Sequence, residues 1–446
     1  MPRAGVEGEQ PADGDIAWIL AGRAWIRDRL EPVEIAIDNR GWIHSVGKVR
    51  TGAPHHDVGD AVILPAATDL HVHFREPGGL DAGENIATGS VAAALGGVTL
   101  AGDMPNNLPP IADPEALADK ARRVGGRSAV DLLLYASASL DHPLERLASR
   151  AGGFKIYLSP TTGIDAVPNV AGTAELLQRL SDLDLPVSVH AEDPAAFADG
   201  LDAQNPADWN RRRPPEAELR AIDRLLSPPP RLRLHVAHVT TRESVRRLHL
   251  AGVSFEATPH HLLLSDRSGP DARFKVNPPL RPEEERRELW SAFVRGEIPC
   301  LASDHAPHSA DAKGLPFDRA PSGVPGVETM LPLLLARVRA RELGLGTLLA
   351  AACDRPARWL GQPLGRIAPG HRANLVVVDF RNHRPLSSRT LRTACGWTPF
   401  EGWEAVFPRE HYRDGRRIVE DGEYVGTPGG GVVRPEYVPV AKRSPR

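Results

Sequence analysis

Apolar residues in this chain come in short runs, and the spacing of those runs changes along its length. Near the start, Ile16–Leu20, Val33–Asp38 and Trp42–Val46 read as strands joined by Gly and Asn turns. Similar runs return late, at Asn374–Phe380 and Ala405–Val419. Between them the pattern alternates. Strand-like runs are predicted at Val62–His71, Val98–Met104, Val130–Ala136, Gly153–Leu158, Pro186–His190, Leu232–His238, Val253–Thr258 and Ile298–Ser303. Helical periodicity separates them at Glu84–Leu95, Pro114–Val124, Ala171–Leu183, Arg242–Leu250 and Pro282–Val294, with a further stretch at Val327–Arg341. Eight such alternations predict an α/β fold, a (β/α)8 TIM-type barrel. The β-rich ends would pair as a small domain beside it. The expected boundaries are a disordered tail over 1–14, a composite β-sandwich from 15–61 with 366–430, a barrel over 62–365, and a loosely ordered tail over 431–446.

Composition narrows the function classes. Lys plus Arg number 54 against 57 Asp plus Glu, which argues against nucleic acid or an anionic membrane as the main partner. No apolar run approaches the ~20 residues of a membrane span, and the polar N-terminus is no signal peptide. Cys300, Cys353 and Cys395 form no CxxC and no disulfide framework, so free thiols in a reducing cytoplasm are expected. The basic residues are mostly Arg; the sequence holds six Lys, so a Lys inside an apolar strand stands out. Lys155 is one.

The chemistry-bearing residues sit at the predicted strand ends. The first strand ends in His71-Val72-His73, and alternation points both imidazoles to one side. Lys155 lies in the fourth strand, His190 ends the fifth, His238 the sixth, and the eighth runs into Asp304. Barrel strands present their C-terminal ends to one face, so four His, a Lys and an Asp should meet in one mouth. A lone strand-end His is more often a polar tip than a ligand, and HxH recurs by chance; the joint placement is what points to a metal. Imidazoles with a carboxylate suit zinc, and six protein groups suit two ions. For Lys155 two readings stand. It pairs with a strand-end acid, or burial and neighbouring cations favour the neutral amine, which captures CO2 as a carbamate. Asp304 can be a ligand, a proton shuttle or a helix cap. His260 and His261, after the seventh strand, are expected to orient the site rather than ligate.

Longer motifs carry a family resemblance. Residues 69–78 (DLHVHFREPG) resemble the DxHxHxRxPG signature of dihydroorotases. Met104-Pro105-Asn106, Gly153–Tyr157 (GFKIY), Val189–Glu192 (VHAE) and His238-Val239 are similar to the family's turn, lysine strand and later His positions. So are Lys275–Arg281 (KVNPPLR), Ala302–His308 (ASDHAPH), Pro325–Thr329 (PGVET) and Cys395–Phe400 (CGWTPF). The resemblance runs in order from about residue 60 to 420.

It implies a distorted (β/α)8 barrel with a β-sandwich from both termini. It further implies two zinc ions bridged by carboxylated Lys155 and a hydroxide, with His71, His73 and Asp304 on one ion and His190 and His238 on the other. Arg75, Asn106 and His308 match positions that bind a substrate carboxylate; a guanidinium grips a carboxylate in bidentate fashion. Asn277 matches a ring contact, as does the backbone at Pro325 and Gly326. The Ser159–Gly163 loop matches a mobile lid carrying Thr161. The implied reaction is reversible closure of N-carbamoyl-L-aspartate to L-dihydroorotate, with Asp304 moving the proton. A homodimer or a complex with aspartate transcarbamoylase is the implied assembly. Three features depart: Asn107 stands where the family has Thr, and Asp103 before Met104 and the stretch 162–168 are allantoinase-like. Against that, Arg75 and His308 are not allantoinase-like. The rivals are an allantoinase or hydantoinase-type cyclic amidase, and a non-catalytic scaffold for the transcarbamoylase, which would be expected to have lost metal ligands.

Overall fold

The computed structural model describes residues 16–78, 84–161 and 170–435. The expected tail over 1–14, the stretch 162–168 and the end of the chain from 436 lie outside the described residues. The chain opens with β1 (Ile16–Ile26), β2 (Arg29–Asp38), β3 (Ile43–Gly47) and β4 (His55–Pro65). β1 and β2 form an antiparallel hairpin closed by Arg27-Asp28, both at positive φ (48° and 64°). That is the backbone a two-residue hairpin loop needs to follow the strand twist.

Eight strands then follow in register order: β5 (Ala67–Val72), β6 (Val98–Asp103), β7 (Asp131–Ser137), β8 (Gly153–Tyr157), β9 (Pro186–His190), β10 (Arg233–Val236), β11 (Ser254–Ala257) and β12 (Cys300–Leu301). Each pairs parallel with the next. Just beyond β12, His305 bridges Val72 in parallel, and His73 N donates to His305 O at 2.8 Å. The sheet thus returns on itself as a barrel. β5, β6, β8 and β9 are buried along their whole length, as parallel strands covered by helices must be. The helix Pro114–Val124 shows how the cover is specified. Asp113 caps its N-terminus by accepting from Ala116 N at 2.8 Å, Pro114 opens the first turn, and Leu117 and Val124 face inward. Replacing such a cap by Ala costs about 1 kcal/mol.

The late strands are β13 (Leu375–Val378), β14 (Arg384–Pro385), β15 (Glu404–Ala405), β16 (Glu410–Arg413), β17 (Arg416–Glu420), β18 (Glu423–Tyr424) and β19 (Val432–Val433). The second sheet runs β18-β17-β16-β13-β4-β1-β2-β3, so both ends of the chain build it. Leu20, Ile35, Ile37, Ile63, Leu375 and Val377 form a core of its own, apart from that of the barrel.

Two places differ from the sequence expectation. The run expected as one strand from Val62 to His71 is divided at Ala66. Val62–Pro65 pairs antiparallel with β13, and the barrel strand starts at Ala67. Both halves are buried, so hydrophobicity carries no mark of the change of sheet. The tail expected to be loose from 431 instead adds β19, parallel to Leu132 and Leu133 of β7. Gly430 lets the chain lie on Val130, where a Cβ would stand 1.9 Å from the carbonyl oxygen.

Candidate metal centre and substrate cavity

Strand alternation sets the site. His71 of β5 and His73 just beyond it share one face, and Lys155 and Tyr157 share one face of β8. His190 ends β9, His238 follows β10 and Asp304 follows β12. Asp304 Oδ1 lies 3.3 Å from His71 Nε2 and 3.1 Å from His73 Nε2. His190 Nδ1 lies 3.0 Å from His238 Nε2, and the His71 and His238 rings are 5.3 Å apart. His71, His238 and Asp304 each offer a ligand atom within 4.8 Å of the others. Lys155, fully buried, has one hydrogen bond among the described residues, to Ser188 Oγ at 3.2 Å.

Arg75, His238 and Asp304 all have left-handed backbone, at φ 60°, 38° and 43°. Each costs a non-glycine residue about 1–3 kcal/mol, and such strain gathers at functional sites. Burial, then neighbouring Lys155 or His190, holds His71 and His238 well below the usual imidazole range; for His73 the causes are burial and then Arg75. Burial also lowers His190 and the Lys155 amine and raises the Asp304 carboxyl. Neutral imidazoles offer lone pairs, so the donor set fits divalent zinc.

A layer of partners aims the imidazoles. Glu256 Oε1 accepts from His71 Nδ1 at 2.8 Å, which leaves Nε2 facing the centre. Glu256 Oε2 in turn lies 3.0 Å from His235 Nε2, whose Nδ1 is 2.8 Å from Ser254 Oγ. His73 Nδ1 is held by Asn106 Oδ1 at 2.5 Å, and His190 Nε2 by Glu192 Oε2 at 2.8 Å. Glu192 is itself ion-paired with buried Arg213. His261 is tied by Thr258 Oγ1 and Pro278 O, at 2.8 and 3.0 Å.

These groups line one cavity, which Arg75, Asn106, Tyr157, Thr161 and Asn277 also line. Arg75 is buried. Its Nη2 lies 3.3 Å from His308 Nε2, while Nε and Nη1 have no hydrogen-bond partner among the described residues. A buried guanidinium with two open N–H groups is costly unless a ligand anion completes it.

The comparisons with known proteins agree with this geometry. Residues 62–404 match the model of the amidohydrolase family. The chain is 37% identical to a dihydroorotase of Halobacterium salinarum, over 82% of this chain and 88% of that protein. It is 34% identical to one of Thermoplasma volcanium, over 94% and 98%. The chain belongs to the dihydroorotases of the amidohydrolase family. An L-hydantoinase structure from Arthrobacter aurescens shares the fold, with a TM-score of 0.85 at 24% identity over 92% of this chain and 98% of that one. A D-hydantoinase from a Bacillus species superposes with a TM-score of 0.83 at 25% identity, over 94% and 99%.

Within this metal-dependent family, the two departures in the Met104 turn have structural partners. Asp103 pairs with buried Lys120 at 2.9 Å and accepts from Phe74 N at 3.1 Å. Asn107 accepts from Lys120 at 3.0 Å and donates to Pro77 O at 3.1 Å. Both brace the loop that carries Arg75. The proposed backbone contact at Pro325–Gly326 lies elsewhere. These residues line a smaller pocket behind His305, whose Nδ1 accepts from Gly326 N at 3.1 Å; Ser322 and Gly323 line the main cavity instead. His308 does not line that cavity; its Nε2 lies 3.3 Å from Arg75 Nη2 and 3.0 Å from Ser322 O. Sequence reading missed Glu256, whose signal was a carboxylate inside the apolar run VSFEAT. It also missed two buried lysines that staple the cavity wall. Lys275 donates to the carbonyls of Phe317, Asp318 and Ala320, and Lys313 to those of Lys275, Pro321 and Gly323.

Proposed function

We propose that this chain opens and closes the ring of L-dihydroorotate, interconverting it with N-carbamoyl-L-aspartate. The observation that carries the reading is Arg75, a buried cation with two open donors in the same cavity as the imidazole cluster. A neutral ring would leave it unpaired; a substrate carboxylate would complete it. His71, His73 and Asp304 would hold one zinc ion, and His190 and His238 a second, with carboxylated Lys155 between them. When bound, zinc supplies a Lewis acid for the ring carbonyl and a water of lowered pKa.

The residues divide the remaining work. Arg75, with Asn106 and His308 beside it, seats the carboxylate, and Asn277 and Thr161 face the ring. The Asp304 carboxylate accepts the proton of the attacking water and passes it to the departing ring nitrogen; closure runs the same transfers backwards. Burial, which raises the Asp304 carboxyl, suits it to hold a proton in transit. The donors are preorganised on buried side chains, which strengthens each polar contact to the substrate. A homodimer or a complex with an aspartate transcarbamoylase, in the cytoplasm, completes the proposal. None of the described helices is long and apolar enough to cross a membrane.

The test is turnover of zinc-loaded protein, with bicarbonate present, on L-dihydroorotate, allantoin and hydantoin in parallel. Selective opening of dihydroorotate is expected. Turnover of allantoin or hydantoin alone would keep the chemistry and overturn the substrate. Metal binding without turnover of any would favour a scaffold.

A further inference from the structure

Tyr157 lines the cavity without a role in the proposed reaction. It lies on the same face of β8 as Lys155, two residues nearer the mouth, just as Arg75 lies two residues beyond His73. A strand rises about 3.3 Å per residue, so Tyr157 stands one layer above Lys155, and Arg75 reaches the same cavity from the loop after β5. That layer is where a substrate would rest. Tyr157 is 5% exposed and lines the main cavity. Its ring lies 6.3 Å from that of His190 and 5.5 Å from Lys155 Nζ.

The hydroxyl of Tyr157 has no hydrogen-bond partner among the described residues. Where a tyrosine only fills space, Phe serves without the cost of burying an unpaired O–H. Tyr412 shows the paired alternative, with its hydroxyl donating to Glu410 Oε2 at 2.6 Å. Tyr135, also unpaired, does not line the cavity. Among the described residues, the buried groups that stand open around this cavity include Arg75 Nε, Arg75 Nη1 and the Tyr157 hydroxyl, beside His238 Nδ1 at the imidazole cluster. A carboxylate has two oxygens and about four lone-pair positions, so one anion can accept from an open guanidinium N–H and from the Tyr157 hydroxyl at once.

We infer that Tyr157 is a specificity residue whose hydroxyl donates a hydrogen bond to the substrate carboxylate seated against Arg75. This rests on the dihydroorotate reading. It makes the anion site a two-residue clamp of Arg75 and Tyr157, drawn from β8 and the loop after β5.

The experiment uses Tyr157→Phe and Arg75→Gln, singly and combined, in zinc-loaded protein. KM and kcat are measured for L-dihydroorotate, and binding of orotate, a planar ring with the same carboxylate, is measured by calorimetry. Tyr157→Phe is expected to raise KM and weaken orotate binding by about tenfold or more, with the loss in KM rather than kcat and metal content kept. The double variant should lose less than the product of the single losses, because both donors serve one group. Unchanged orotate affinity in Tyr157→Phe, or a loss confined to kcat, would overturn the inference while the dihydroorotate reading stands. Wild-type protein that neither opens dihydroorotate nor binds orotate would remove that reading, and the clamp with it.

Discussion

Two lysines in this barrel are equally buried and oppositely equipped. Lys120, at the side of the barrel, has an ion pair with Asp103 at 2.9 Å and hydrogen bonds to Met104 O and Asn107 Oδ1 at 2.8 and 3.0 Å. Lys155, in the mouth, has Ser188 Oγ alone among the described residues. Both are 0% exposed. A buried ammonium needs partners for its charge and its N–H groups, and Lys120 has an ion pair and two hydrogen bonds within the protein. Lys155 is left short, beside four imidazoles and Asp304. The arginines repeat the contrast in part. Arg281 donates to Thr240 Oγ1, Asn210 Oδ1 and Arg213 O and leaves Nη2 3.9 Å from Glu218 Oε2, whereas Arg75 leaves both Nε and Nη1 open among the described residues. In each of these two pairs the residue in the mouth has the fewer partners among the described residues.

The contrast can be broken at either end. Lys155→Ala should cause the largest change, a loss of turnover on the order of 10³-fold, or about 4 kcal/mol, together with loss of metal. A small carboxylic acid should restore part of both, and a variant that keeps two metals would sink the carbamate reading. Next, Lys120→Met strands Asp103 and should lower unfolding free energy by about 3 kcal/mol in urea titrations. Its folded fraction should bind metal normally; metal loss at unchanged stability would erase the distinction between the two lysines. Glu256→Gln should weaken metal binding by about 10- to 100-fold in competition titrations, because His71 loses the carboxylate that fixes its tautomer. Equal affinity would reduce Glu256 to packing. The smallest effect should come from Asn107→Thr, which restores the residue common at this turn. It removes an acceptor from Lys120 and a donor to Pro77, for about 1 kcal/mol of stability. A change in KM for dihydroorotate would instead make Asn107 a substrate residue.

The same contrast explains what was legible in the sequence. His71, His73, Lys155, His190, His238 and Asp304 could be placed together because strand ends of a barrel converge, and strand ends are visible as the limits of apolar runs. Glu256 was harder. It stands inside a strand, and only its partner across the barrel, His71, shows why a carboxylate is there. Lys275 and Lys313 were illegible for a different reason: their acceptors are backbone carbonyls, which leave no trace in residue identity. The division of the Val62–His71 run was hidden because both sheets bury it. Asn107 and Asp103, read as departures toward another substrate, proved to be partners of Lys120, a helix residue distant enough in sequence that no local pattern joins them.

The most direct measurement compares wild type with Arg75→Gln on L-dihydroorotate, both loaded with zinc and matched for metal content. If the open guanidinium edges hold the substrate carboxylate, KM should rise by about 10- to 100-fold while both proteins keep their metal and their fold. An unchanged KM would contradict the claim that this buried, unsaturated charge is the substrate site.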